Sequence, residues 1–344
     1  MSELYCAGLG IGTQNTQGEW LEVYYPAPLL SPNEALSQAL SDSVKGSADS
    51  SACPLSSSQL DSIAGTLESL GEAEQASIAK QLAKSQKPVV LSLFESNTAP
   101  QSVPGAYLKL QLLSHRLVKP HETDLSGMFG VLPNVAWTNE GAIDLNELPQ
   151  RQLDARLAGR TLTVECVDKF PKMTNYVVPN GVRIAHTARV RLGAYIGEGT
   201  TVMHEGFVNF NAGTLGTSMI EGRISAGVVI GEGSDLGGGC STMGTLSGGG
   251  NIVISVGKEC LLGANAGIGI PLGDRCTVES GLYITPGSKM NLLDDNNQVV
   301  QEIKGRDLAG KSDLLFRRNS LTGSIECLTN KTAIALNEEL HANN

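Results

Sequence analysis

The chain has 344 residues, of which 41% are hydrophobic and 17% charged. That balance predicts a folded protein of two domains rather than a disordered or membrane-spanning one. Its net charge of −10, from 35 acidic against 25 basic residues, repels phosphate backbones and argues against a nucleic-acid partner. There is no apolar run long enough to span a bilayer and no signal-peptide pattern at Met1–Leu4, so the expected setting is soluble and cytoplasmic, with no membrane partner. The seven cysteines are dispersed without a CxxC pair, as expected of reduced thiols rather than a disulfide framework.

The N-terminal part, residues 1–160, reads as an α/β domain. Leu21–Tyr25 is β-like and is followed by prolines at 26, 28 and 32. Residues 37–58, rich in Ser, Ala and Gly, read as a loop. From Ser58 to Lys87, apolar residues at helical spacing (Leu60, Ile63, Ala64, Leu67, Leu70, then Ile78 and Leu82) predict two helices meeting near Gly71. Pro88–Phe94 predicts a buried strand, and Tyr107–Leu117 a strand or short helix.

Beyond about residue 178 a period of six takes over. Aliphatic residues lead each hexad at Val178, Ile184, Val190, Ile196, Val202 and Val208; further runs are Ile224, Ile230, Leu236, then Val256, Leu262, Ile268, then Leu272, Val278, Ile284. The residue four places on is usually small, and most of the 40 glycines fall in this region. Six residues make one short strand and one turn. Three such units make a triangular coil of roughly 18 residues that advances by about one strand spacing, 4.8 Å. The aliphatic side chains fill the prism, and glycine or asparagine supplies the turns. Cys240, Cys260 and Cys276 fall on small inward positions and read as core fillers. The frame slips at Thr214–Glu221, where a loop is expected to protrude, and at Thr242–Ser255. Residues 297–303 and 321–328 are expected to be strands of a C-terminal cap over the open coil end, within a cap region 291–344. The repeat domain then spans 161–290.

Two motifs are decoys. Gly305–Ser312 fits GxxxxGK[ST], but that loop cradles phosphate only between a strand and a helix. Gly8-x-Gly10-x-Gly12 lacks the helix and distal acid of a dinucleotide site.

The hexads resemble those of the hexapeptide-repeat acyltransferases. Met203–Gly216, Glu221–Gly227, Met243–Gly250, Cys260–Asn265 and Leu314–Ser320 are similar to the tetrahydrodipicolinate N-succinyltransferases in their long form, over residues 165–344. The resemblance implies a left-handed parallel β-helix, a homotrimer with sites between subunits, and a divalent metal such as magnesium on the trimer axis, whose ligands cannot be placed. It implies no tightly bound cofactor. Succinyl-CoA would serve as cosubstrate and tetrahydrodipicolinate, ring-opened to 2-amino-6-oxopimelate, as acceptor, in lysine and diaminopimelate synthesis.

On that footing Glu205 is the leading catalytic candidate. An acceptor amine must lose a proton before it attacks a thioester, and a carboxylate can take it. The resemblance equally allows Glu205 to carry the acyl group as an anhydride. His204 is the alternative base, and Gly222 offers a backbone N–H to an oxyanion. Arg189 and Arg223, from a cluster with Arg183 and Arg191, suit the substrate carboxylates, with Asn209, Asn211 and Ser225 as polar lining. Gly222, Ser225, Gly263, Ala264 and Asn265 would accommodate the CoA arm, and Lys289 and Arg317, with Arg318, its phosphates. Rival readings are another CoA-dependent N- or O-acyl transfer, a zinc carbonic-anhydrase-like coil, and a non-catalytic scaffold. The zinc site needs three histidines, whereas only His186 and His204 lie in the coil.

Overall fold

The computed structural model describes residues 3–45, 49–244 and 252–329. It divides into two compact units. One comprises the chain up to Val118 and Glu122–Pro171, and the other Lys119–His121 and everything from Lys172.

Among the described residues the first unit holds two antiparallel sheets, so its interleaved helices and strands do not build the parallel sheet of a βαβ unit. Its larger sheet is built from β1 (Cys6–Gln14), β2 (Trp20–Tyr24), β3 (Leu29–Leu30), β4 (Cys53–Leu55) and β5 (Val89–Phe94). The order is β2-β1-β5-β4, with β3 also pairing β1. The Ser-rich stretch expected as a loop instead contains helix α1 (Glu34–Ser43) and β4. Asn33 caps α1 by accepting the Leu36 N–H at 2.9 Å, and Leu36 and Leu40 reach the core. The two expected helices are α2 (Ser57–Ser69) and α3 (Ala73–Leu82). Ser56 and Gln59 form a capping box at the start of α2, and Gly71, at φ +79°, makes the turn that ends it. Their apolar faces pack with Ala7, Leu9, Leu91 and Leu93.

The opposite face of β1 explains the Gly-x-Gly-x-Gly run. A Cβ at Gly8 or Gly10 would lie 2.6 Å or 2.7 Å from ring atoms of Tyr25, so these glycines make room for a buried ring, not a phosphate. The Tyr25 hydroxyl donates to Pro104 O (2.9 Å), and Gln111 of helix α4 (Val103–Ser114) ties down the end of β2, accepting the Tyr25 N–H and donating to Val23 O, both at 2.9 Å. Residues 107–114, ambiguous in the sequence, are thus helical. After the short helix α5 (Met128–Val131) come β6 (Val135–Thr138), β7 (Gly141–Asp144), α6 (Leu148–Leu157) and β8 (Val164–Asp168). The strands form an antiparallel sheet in the order β7-β6-β8 around Ala136, Ile143, Ala155 and Leu162.

The second unit is a three-faced coil of parallel strands. Face one stacks Arg183–Ile184, Thr200–Val202, Ser218–Ile220, Asp235–Leu236, Leu261–Leu262 and Thr277–Val278. Face two stacks Phe207–Val208, Arg223–Ile224, Ser241–Thr242, Gly267–Ile268 and Tyr283–Ile284. Face three stacks Ala194–Ile196, Ala212–Thr214, Val229–Ile230 and Ser255–Val256. The hexad leaders from Val190 to Ile284 point inward and are almost completely buried. Val178 departs from this. It is 62% exposed, because no strand stacks beneath it.

The expected loop at Thr214–Glu221 is absent. Ala212–Thr214 and Ser218–Ile220 are regular strands, and the first frame continues through Thr214 and Ile220. The slip is a shortened corner. Val202 pairs with Ile220, eighteen residues on, but Val208 pairs with Ile224, only sixteen on. Stacking fixes which side chains face inward, so a corner can lose two residues without disturbing the ladder. The second slip is an insertion: Val229 pairs with Ser255. Its Leu246–Gly250 stretch lies outside the described residues. Asn211 and Asn265, at φ +52° and +56°, occupy left-handed corner positions that asparagine tolerates. Burial pushes the Cys240 thiol up to about 12, in keeping with a packed, protonated filler.

The coil ends in a sheet that extends face one. Thr277–Val278 pairs with Leu314–Arg318, which is followed by Ile325–Thr329, Lys289–Leu293 and Val299–Lys304. The expected strands are present, with two more; the remainder of 291–344, from residue 330 on, lies outside the described residues. In the phosphate-loop decoy, Gly305–Leu308 is a 3₁₀ turn and the next element is the strand Leu314–Arg318, not a helix.

Two outcomes follow. Gly10→Ala should destabilise the first unit by about 1–3 kcal/mol through overpacking against Tyr25, read as a lower urea midpoint. In the cap, Glu326 accepts from Asn319 (2.8 Å) and Arg317 (2.9 Å), and these partners, Asn319 foremost, hold its carboxyl below its ordinary value of 4.5. A depressed folded value stabilises above the unfolded pKa and is lost as pH falls through the folded one. Wild type should therefore exceed Glu326→Gln in melting temperature near neutral pH, and the gap should close on acidification below 4.5.

Candidate functional site

The corner joining face one to face two carries most of the chemistry-bearing residues. Its successive levels are Met203–Gly206, Glu221–Gly222, Gly237–Cys240 and Gly263–Ala266. Ladder bonds set this stacking: Met203 N–H donates to Ile220 O (2.9 Å), Glu221 N–H to Leu236 O (2.8 Å) and Asn265 N–H to Gly238 O (2.9 Å).

His204 and Glu205 form an exposed two-residue turn. Glu221 stands one level on, and both carboxylates reach over Gly238: a Cβ there would sit 3.4 Å from Glu221 Oε2 and 4.0 Å from Glu205 Oε2. With glycine at 237, 238 and 239, the floor beneath the two acids is bare backbone. The sequence reading passed over Glu221. The signal that would have found it is the shortened corner, which stacks Glu221 on Met203 and Gly222 on Gly206 and leaves His204 and Glu205 as the two extra residues beside it.

Arg189 lies at the coil's first level of this corner. Its Nε donates to Gly206 O (3.0 Å) and its Nη2 to Glu205 O (2.8 Å). Arg189 and Arg191 both lie over the Phe207 ring, at 6.0 Å and 5.9 Å, where guanidinium groups are attracted to an aromatic face. Arg191 donates to Asn209 Oδ1 at 3.1 Å. Gly222 is required by packing, since a Cβ would fall 2.4 Å from Cys240 Sγ. Arg223 is exposed on the outer side of face two, between Phe207 and Ser241, and donates to the Ser241 hydroxyl.

Other candidates lie elsewhere. Asn211 belongs to the next corner, where its Oδ1 accepts the His121 N–H (2.8 Å). Ser225 donates to Thr242 O (2.6 Å) within the coil wall. Gly263, Ala264 and Asn265 share the Glu205 corner three levels on, roughly 14 Å along the coil at 4.8 Å per level. Glycine at 263 and 239 keeps that edge narrow: a Cβ would meet Ser280 N and Asn265 Oδ1, at 2.6 Å and 2.5 Å. Lys289 and Arg317 belong to the cap sheet, where they pair with Glu302 (3.0 Å) and Glu326 (2.9 Å). Among the described residues no group of three or more His, Cys, Asp or Glu is placed to hold a metal ion, and no helix is long and apolar enough to cross a membrane.

Comparison with known proteins identifies the family. The family model described as tetrahydrodipicolinate N-succinyltransferase middle matches residues 132–172, and that described as hexapeptide repeat of succinyl-transferase matches residues 253–286. The chain is 63% identical to the 2,3,4,5-tetrahydropyridine-2,6-dicarboxylate N-succinyltransferase of Pseudomonas putida, 64% to that of Pseudomonas aeruginosa and 59% to that of Vibrio cholerae, over 99% of each chain. A crystal structure from Campylobacter jejuni, described as a 2,3,4,5-tetrahydropyridine-2-carboxylate N-succinyltransferase, superposes with a TM-score of 0.88 at 32% identity, covering 97% of this chain and 94% of that one. At 59–64% identity over nearly its whole length, the chain belongs to the 2,3,4,5-tetrahydropyridine-2,6-dicarboxylate N-succinyltransferase family.

Proposed function

We propose that the protein transfers the succinyl group of succinyl-CoA to the amine of ring-opened tetrahydrodipicolinate, a step of lysine and diaminopimelate synthesis. It does so as a cytoplasmic homotrimer of left-handed β-helices, with Glu205 as general base. The observation that supports this reading is the exposed Glu205 turn, whose carboxylate and that of Glu221 both reach over Gly238, where no side chain stands beneath them.

The acceptor amine is mostly protonated near neutral pH. It must first release one proton to solvent; as the lone pair of the neutral nitrogen then attacks the thioester carbon, Glu205 takes the second proton, the one the nitrogen sheds on forming the C–N bond. The carbonyl oxygen becomes an oxyanion, for which Gly222 N–H is the donor. Collapse of this intermediate re-forms the carbonyl and breaks the C–S bond, and the proton held by Glu205 passes to the departing thiolate. Arg223 and Asn209 meet the substrate carboxylates, and Ser225 lines the adjacent wall. The pantetheine arm lies along the edge at Gly263–Asn265, toward Lys289 and Arg317 for the phosphates. The described residues of one chain do not make a metal site.

In a free-thiol release assay, Glu205→Gln should lower kcat by about 10²–10⁴-fold, the usual range for a general base, while His204→Asn keeps most of it. Equal turnover by Glu205→Gln and wild type would end the proposal. Arg223→Met should raise KM for the carboxylate it meets by about 10–100-fold, the worth of a hydrogen bond to a charged group, and leave kcat largely intact.

A further inference from the structure

We infer that Arg189 is a positioning residue for Glu205, not a receptor for a substrate carboxylate. The inference rests on the general-base reading of Glu205.

The guanidinium is committed to the protein backbone. Two of its nitrogens converge on consecutive carbonyls, Glu205 O at 2.8 Å and Gly206 O at 3.0 Å. These are the carbonyls of the base and the residue after it, so the fork fixes the orientation of two peptide planes and with them the direction in which the Glu205 Cα–Cβ bond leaves the turn. The turn needs such a brace. Its own bonds are Gly206 N–H to Met203 O (3.0 Å) and Phe207 N–H to Gly222 O (3.0 Å), and both side chains at its tip are exposed. The brace is itself held. Arg189 lies over Phe207, whose ring also faces Arg191, and Arg191 is anchored on Asn209. Lysine cannot replace this fork, because an ammonium has no pair of donors in fixed planar geometry. A carboxylate contact predicts weaker substrate binding when Arg189 is removed, whereas a brace predicts slower chemistry at unchanged binding.

The test is a kinetic cycle of Arg189→Ala, Glu205→Gln and the double variant, with KM measured for both substrates. Arg189→Ala should lower kcat, by up to about 10²-fold for an ångström-scale displacement of the base, with both KM values within about twofold of wild type. Because Arg189 acts through Glu205, the double variant should be no slower than Glu205→Gln alone, the non-additivity expected of groups that work as a unit. Arg189→Lys should recover only part of the loss; it also serves should Arg189→Ala not fold. A rise in either KM at preserved kcat, losses that multiply in the double variant, or full turnover by Arg189→Lys would each overturn the assignment. If Glu205→Gln alone keeps full turnover, the single variant shows that the base reading, not the brace, has failed.

Discussion

Everything in the second unit depends on the stacking of buried aliphatics at every sixth residue. Parallel strands of two or three residues are too short to hold together by hydrogen bonds alone. They persist because Val202, Ile220, Leu236, Leu262 and Val278 on one face, and the corresponding columns on the other two, form a continuous apolar interior. That interior fixes the register, and the register brings residues distant in sequence into columns along each corner. Glu205, Glu221, Gly238 and Asn265 are neighbours only for this reason.

The same constraint explains where the coil can vary. Among the described residues the inward positions from Val190 onward are filled by buried side chains, Thr214 and Thr242 with the aliphatics, whereas corners gain or lose residues. The two-residue loss at Ile220–Ile224 brings Glu221 and Gly222 into a tight corner, where Cys240 leaves no room for a Cβ at Gly222. A glycine there is required by packing. Polar groups inside the wall are similarly engaged: Ser225 hydrogen-bonds Thr242, and the Cys260 thiol donates to Gly273 O. The groups left facing outward at or beside the corner include His204, the Glu205 and Glu221 carboxylates and Arg223.

Much of this was legible in the sequence, because a six-residue period has few structural interpretations. The coil, its approximate extent, the helix pair about Gly71 and the strand at Val89–Phe94 all follow from spacing. What stayed hidden depended on partners. A four-residue step from Ile220 to Ile224 looks like a loop until the neighbouring coil shows that the ladder is unbroken. Val178 fits the period but has no level beneath it. Residues 34–43 form a helix because Asn33 caps them and Leu36 and Leu40 find a core, neither of which offsets a Ser-rich composition on paper. The partners of Arg189 lie sixteen and seventeen residues away, a distance that means contact only after the coil is wound.

On the proposed mechanism the acyl group and the amine meet at the corner of faces one and two, above Gly238. A crystal structure with succinyl-CoA and pimelate, an acceptor analogue lacking the amine, would locate both reactants. The thioester carbon should lie beside Glu205, with room for a nitrogen about 3–3.5 Å from it, the separation of reacting atoms in a near-attack geometry, and the CoA arm should run past Gly263–Asn265. A thioester bound at the Asn211 corner, or in the first unit, would contradict it.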